Sequence, residues 1–323
     1  MKVVLDLSRL LREGKISQEE FDRLSRLAAH DTGSLTINIL IGVGVVAVSG
    51  GLVALLMNAV AVATIGTAVL AGGLAFTYAG TKQWQVLATI CLLVGALMLA
   101  GGIVTLGEGK LASLLAATAV LTAAGIAGRS GLLVALAVLA LAACLGTSTS
   151  YWHATYSLRI TEPTLTIALF SALALAAYWA SHRIGGVHEP LALMAARVSL
   201  FLVNFGFWIG SLWGDPLLLP RMLIWHDPDI LTGYASRAVV PPMVFIVGWA
   251  VTLLAAGAWA VKANRRWVVN LAAVFGIIHF YTQWFERLGA TPGSILIAGV
   301  LVLAFSIVAW KLNGTAEAAP AAA

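Results

Sequence analysis

The feature that most constrains this chain is a series of long apolar runs, divided by brief polar turns and two longer loops, that starts at Leu35 and continues almost to the last residue. Hydrocarbon offers no hydrogen-bond partner to a peptide group, so such a chain crosses a bilayer either as helices or as a closed barrel. The runs lack the apolar/polar alternation of barrel strands, which leaves helices. Composition agrees: 60% of the 323 residues are hydrophobic, 10% are charged and the mean hydropathy is +0.95, more apolar surface than one water-soluble core would hide. The expected fold class is all-α, a polytopic transmembrane helical bundle with lipid as solvent for most of its surface.

A hydrocarbon core of about 30 Å needs about 20 apolar residues at helical rise, and about 17 suffice. Ten segments meet that measure: 35–57, 59–80, 86–106, 111–128, 131–150, 164–181, 191–213, 241–261, 268–286 and 292–312. The fourth and fifth are short, Ala/Leu-rich and separated only by Arg129 and its neighbours. With the amino terminus in the cytosol, only Lys110, Arg159, Arg221, Arg237 and Arg287 of the 19 Lys and Arg residues fall outside. The positive-inside bias therefore predicts an inner (plasma) membrane protein with an even number of spans and both termini cytoplasmic. The net charge of +5 follows from that topology, and nucleic acid is not an expected partner.

Three regions are expected: a cytosolic helical leader over 1–34, a transmembrane domain over 35–312 and a disordered Ala/Pro-rich tail over 313–323. The leader has ordinary soluble composition and carries too many charges before Leu35 for a secretory signal. Gly14 is placed to end a first short helix in a left-handed cap. Ser17 and Glu20 form the Ser-x-x-Glu capping box of a second, with Ile16 and Phe21 able to staple it. The outer loops Tyr151 to Pro163 and Gly214 to Val240 carry Trp152, Tyr156, Trp213, Trp225 and Tyr234, aromatics suited to the headgroup interface. Pro241 and Pro242 fit the opening turn of the eighth span.

Polar groups in a membrane are costly, and so mark where function is sought first. No Asp or Glu falls near the middle of any span, which argues against an ion-coupled carrier. The candidate polar face is on the ninth span, where His279, Gln283 and Glu286 share one side of the helix. It reads either as a path or pocket opening outward, or as a His and Gln bonded to neighbouring helices with Glu286 paired to Arg287. On the seventh span Asn204, Trp208 and Ser211 share a face, and Asn204 is placed to bond across to the ninth. In the outer loops His226, Asp227 and Asp229 with His153 have the ligand chemistry for zinc or manganese, although His-Asp-Pro-Asp is equally a turn and helix cap.

Small residues let helix backbones approach. Gly42, Gly44, Gly50, Gly51, Gly66, Gly72, Gly73, Gly101 and Gly102 are expected at interhelical contacts. Gly206 and Gly210 make a GxxxG that suits packing within the subunit or between two copies. Cys91 and Cys144 lie in apolar runs as packing residues. The chain has no Gly-rich phosphate loop, no HExxH and no Gly-x-Ser-x-Gly, and so implies no cofactor.

The leader segment Leu10-Leu11-Arg12-Glu13-Gly14-Lys15-Ile16-Ser17-Gln18-Glu19-Glu20-Phe21 and the closing segment Phe280-Tyr281-Thr282-Gln283-Trp284-Phe285-Glu286-Arg287-Leu288-Gly289 together resemble the bacterial membrane family called domain of unknown function 2157. The resemblance covers the two ends of the chain and implies a membrane protein with no catalytic residue to carry over. The functional expectation is a non-enzymatic assembly or interaction protein, partnered by the bilayer and by a membrane protein or a second copy. The alternative is a small-solute transporter or channel using His279, Gln283 and Glu286. An intramembrane enzyme rests only on the His226, Asp227 and Asp229 cluster.

Overall fold

The computed structural model describes residues 11, 14–15, 17–21, 40–41, 43–51, 58–79, 84–152, 155–223 and 238–317. The described chain is predominantly helical: α1 (Ala59–Tyr78), α2 (Gln85–Leu106), α3 (Leu111–Ala127), α4 (Gly131–Cys144), α5 (Pro163–Ile184), α6 (Glu189–Trp213), a short α7 (Leu218–Leu223), α8 (Pro242–Lys262), α9 (Arg266–Leu288) and α10 (Pro292–Glu317). Among the described residues, six segments are long and apolar enough to cross a membrane: α1, α2, α5, Gly186–Trp213, α8 and α9. These correspond to the second, third, sixth, seventh, eighth and ninth expected spans. Helices α3 and α4, of 17 and 14 residues, and the stretch Pro292–Ile307 are apolar but shorter. Of the first expected span, 40–41 and 43–51 are helical and the remainder lies outside the described residues.

Two expectations are corrected. The fifth span does not reach residue 150: α4 stops at Cys144, Gly146 turns the chain at φ +77°, and Ser148–Trp152 pairs antiparallel with Thr155–Arg159 as strands β1 and β2. Thr, Ser, Tyr and Trp in this stretch suit a pleated ladder better than a helix, so what reads as an irregular loop is a hairpin. The Thr161 hydroxyl donates to the Gly146 carbonyl at 3.0 Å and closes its base. At the other end, α10 runs to Glu317, past the expected start of the tail at 313; 318–323 lie outside the described residues.

The local signals of the leader are present where they are described. The Ser17 amide donates to Glu20 Oε2 at 2.9 Å and the Glu20 amide to Ser17 Oγ at 3.2 Å, the two reciprocal bonds of the capping box. Gly14 has φ +67°. Pro242 occupies the first position of α8, where its missing amide costs nothing.

The chain forms two compact units, one of residues 1–144 with 180–195 and one of 145–179 with 196–323. The first is centred on the α1–α2 hairpin, whose backbones meet through glycine. A Cβ on Gly66 would lie 2.5 Å from the Leu99 amide nitrogen, one on Gly73 2.7 Å from that of Leu92, and one on Gly95 would fall on the backbone of Leu70. Gly102 abuts Ala63 in the same way. By contrast Gly44, Gly50, Gly51, Gly72 and Gly101 have nothing within 4 Å of the Cβ position among the described residues, so no helix contact is seen at them there; Gly42 lies outside the described residues. Leu92, Ala96 and Ala100 continue the packing onto Ala117, Leu121 and Ala124 of α3 and Leu133 and Ala137 of α4. The second unit holds every polar feature considered next.

Candidate functional site

One member of the expected polar face, His279, is built into an aromatic cluster. His279 of α9 meets the Trp249 ring of α8 edge-on, with centroids 4.8 Å apart. Trp249 is fully buried and also packs on Phe275, which itself touches Phe201 and Phe205 of α6. Asn204 is 7% exposed. Its Oδ1 accepts from Trp249 Nε1 at 2.9 Å and its Nδ2 donates to the Leu200 carbonyl at 2.8 Å, so both ends of the amide are used. Asn204 thus bonds to the eighth span and not to the ninth as expected; a side chain reaches its neighbour by the helix crossing, which face-sharing along one helix does not fix. The link to the ninth comes from Trp208, whose Nε1 donates to Thr282 Oγ1 at 3.0 Å. Ser211 turns back to the Trp208 carbonyl at 2.7 Å.

His279 and Gln283 are half-buried, and His279 Nδ1, Gln283 Nε2 and Trp284 Nε1 are buried atoms without a hydrogen-bond partner among the described residues. Glu286 is exposed, one turn beyond them. Of these three residues of α9, His279 packs on α8, Gln283 is half-buried and Glu286 lies exposed beyond it.

The GxxxG packs within the chain. Gly206 lies against Ile167, Thr166 and the Pro163 carbonyl of α5, and Gly210 faces the Phe245 ring of α8, at 3.0 and 2.5 Å from the respective Cβ positions. Of the metal candidates, His153, His226, Asp227 and Asp229 all lie outside the described residues. Among the described residues there is no group of three or more His, Cys, Asp or Glu that could hold a metal ion.

The sequence reading missed a pair of buried carboxylates at one end of this unit. Glu162 is 2% exposed and Asp215 fully buried. Asp215 Oδ2 accepts from the Thr164 amide at 2.7 Å, supplying a bond to the first turn of α5, and Oδ1 accepts from the Leu217 amide at 2.7 Å. Glu162, which precedes α5, sends Oε1 instead to the Leu219 amide of α7 at 2.6 Å. The Asp215 backbone bridges to Val240, at 3.0 Å in each direction. Glu162 Oε2 has no partner among the described residues. Burial, with the Asp215 charge adding, pushes the Glu162 carboxyl up to about 7 against the pull of the Leu219 amide. The local signals were Glu before Pro163 and Gly-Asp-Pro at 214–216, both of which also mark ordinary surface turns.

No family model, no curated protein and no solved structure matches this chain.

Proposed function

We propose that this chain is a multi-pass inner-membrane protein of about ten spans, with both termini cytoplasmic, that acts as a non-enzymatic assembly or interaction component. In this reading it is a bacterial relative of the domain of unknown function 2157 family. The observation that carries the functional part is how the mid-span polar groups of α6 are used: Asn204 ties to Trp249, and Trp208 ties to Thr282. Polar groups spent on joining helices fix a rigid body in lipid, and do not line a route through it. Purification in mild detergent after crosslinking in native membranes tests this. A stoichiometric membrane-protein partner or a defined homo-oligomer is the expected product; a monomer that crosslinks to nothing would overturn it.

One observation favours a second reading, a site or path for a small neutral solute. His279 Nδ1 and Gln283 Nε2 are buried and lack partners among the described residues, and such groups usually acquire one from water or a ligand. Replacing His279, Gln283 and Glu286 by Leu, Met and Leu then reduces solute flux into proteoliposomes at least about tenfold. Flux unchanged by the triple replacement would eliminate the face as the path.

A further inference from the structure

In the second unit, α6 and α9 leave an open groove of about 370 Å³ lined by Arg197, Phe201, Trp267, Asn270, Leu271 and Val274. Its polar lining is gathered at one end. Arg197 is exposed and its guanidinium stands over the Trp267 ring, 5.5 Å from the centroid, with Asn270 one turn along α9. Deeper along the same helices come Phe201, Leu271 and Val274, of which Phe201 and Val274 are 45% and 55% exposed. From Trp267 to Val274 is about 10 Å of helix, long enough, in a helix that crosses a bilayer, to run from headgroup depth into the acyl region.

The acidic residue nearest Arg197 along α6 is Glu189, eight positions earlier. Residues 190–214 and 230–285, which include all of α8, most of α6 and α9 as far as Phe285, contain no Asp or Glu. Among the described residues no ion pair to Arg197 occurs. The turn joining α8 to α9 adds Lys262, Arg265 and Arg266 at the same end, with Arg265 placed over the Tyr178 ring at 5.6 Å. A cation at the lip of a lipid-facing groove, flanked by an indole and an amide and continued by an apolar wall, matches the two halves of one kind of molecule.

We infer that the α6–α9 groove is a binding site for an anionic phospholipid, its phosphate held by Arg197 and Asn270 beside Trp267 and an acyl chain lying along Phe201, Leu271 and Val274. This rests on the membrane reading above, and charge complementarity selects the occupant: a phosphate in the headgroup layer supplies the negative charge that residues 190–214 and 230–285 lack.

The full chain, reconstituted in vesicles of equal phosphatidylglycerol and phosphatidylcholine and extracted gently for native mass spectrometry, should retain phosphatidylglycerol about fivefold over phosphatidylcholine. Arg197→Gln should abolish the preference and Asn270→Leu should reduce it, whereas Lys110→Gln, in the other unit, should leave it unchanged. Excess inorganic phosphate should not displace the bound lipid. Equal retention of both lipids by the wild type would overturn the inference, and this comparison decides the matter if Arg197→Gln fails to fold. A preference indifferent to Arg197→Gln, or lost to inorganic phosphate, would overturn it equally. Flotation separates the two failures: protein that floats with vesicles but shows no preference refutes the groove alone, and protein that does not float refutes the membrane reading as well.

Discussion

Glu162 and Asp215 each bond to the helix that follows the other: Asp215 Oδ2 accepts the Thr164 amide in the first turn of α5, and Glu162 Oε1 accepts the Leu219 amide at the start of α7, at 2.7 and 2.6 Å. The four amides at a helix start have no partner within the helix, so buried helix starts need acceptors from elsewhere. Here two carboxylates far apart in sequence exchange that duty, and the same exchange holds Leu217 at its positive φ of 52°.

Asp215→Ala should therefore be costly. It removes the acceptors of the Thr164 and Leu217 amides together, a loss of about 2–4 kcal/mol for charge-assisted bonds left buried and unmade. Asp215→Asn keeps one acceptor and should lose about half as much. Thermal unfolding in mild detergent measures both, and an Asp215→Ala variant as stable as wild type would contradict the clasp.

Stability should fall with rising pH through a window set by Glu162. Its carboxyl is raised from the ordinary 4.5 to about 7, so between those values the unfolded chain has released a proton that the folded chain keeps. The folded state is accordingly favoured below the window and progressively less so up to about pH 7. Glu162→Gln keeps the acceptor for Leu219 without the charge, and should flatten the profile and gain on the order of 1–3 kcal/mol over wild type at high pH. A wild-type profile that is flat or rising across this window would contradict the assignment.

Gly95 and Gly72 should behave oppositely. A methyl on Gly95 collides with the Leu70 backbone, which a hairpin cannot yield cheaply, so Gly95→Ala should cost about 1–3 kcal/mol or more. Gly72 has no described residue within 4 Å of its Cβ position, and Gly72→Ala should be neutral or gain up to about 1 kcal/mol from helix propensity. Equal responses in the same unfolding assay would argue against close backbone contact in α1–α2.

Asn204→Leu leaves Trp249 Nε1 buried without its acceptor and should cost about 1–2 kcal/mol. Adding Trp249→Phe removes the stranded donor, so the double variant should be more stable than the sum of the single losses predicts. Strict additivity would show that the two residues are not coupled.

How far the sequence reveals this fold follows from the range of the forces involved. The starts of α1, α2, α5, α6, α8 and α9 all fall within two residues of expectation, because apolar length and proline or cap chemistry are local. The Ser17–Glu20 box and the Gly14 turn are local too. The Glu162–Asp215 clasp is not: each carboxylate is buried by segments more than 50 residues away, with Thr164 and Asp215 separated by 51 and Glu162 and Leu219 by 57. The partner of Asn204 was missed for the same reason, since which neighbouring span it reaches depends on how helices cross. The β1–β2 hairpin is hidden because its Tyr and Trp residues suit a headgroup interface as well as a pleated ladder, and five-residue strands carry little of the period of two.

The central claim is that α9, which carries both His279 and the Trp267 wall of the groove, crosses the bilayer. Single cysteines at Asn264 and Ala290, in a chain whose Cys91 and Cys144 are replaced by Ala, test it with a membrane-impermeant thiol reagent. The account predicts that Ala290→Cys is labelled in intact cells and Asn264→Cys only after permeabilisation. Labelling of both positions alike from one side would contradict it.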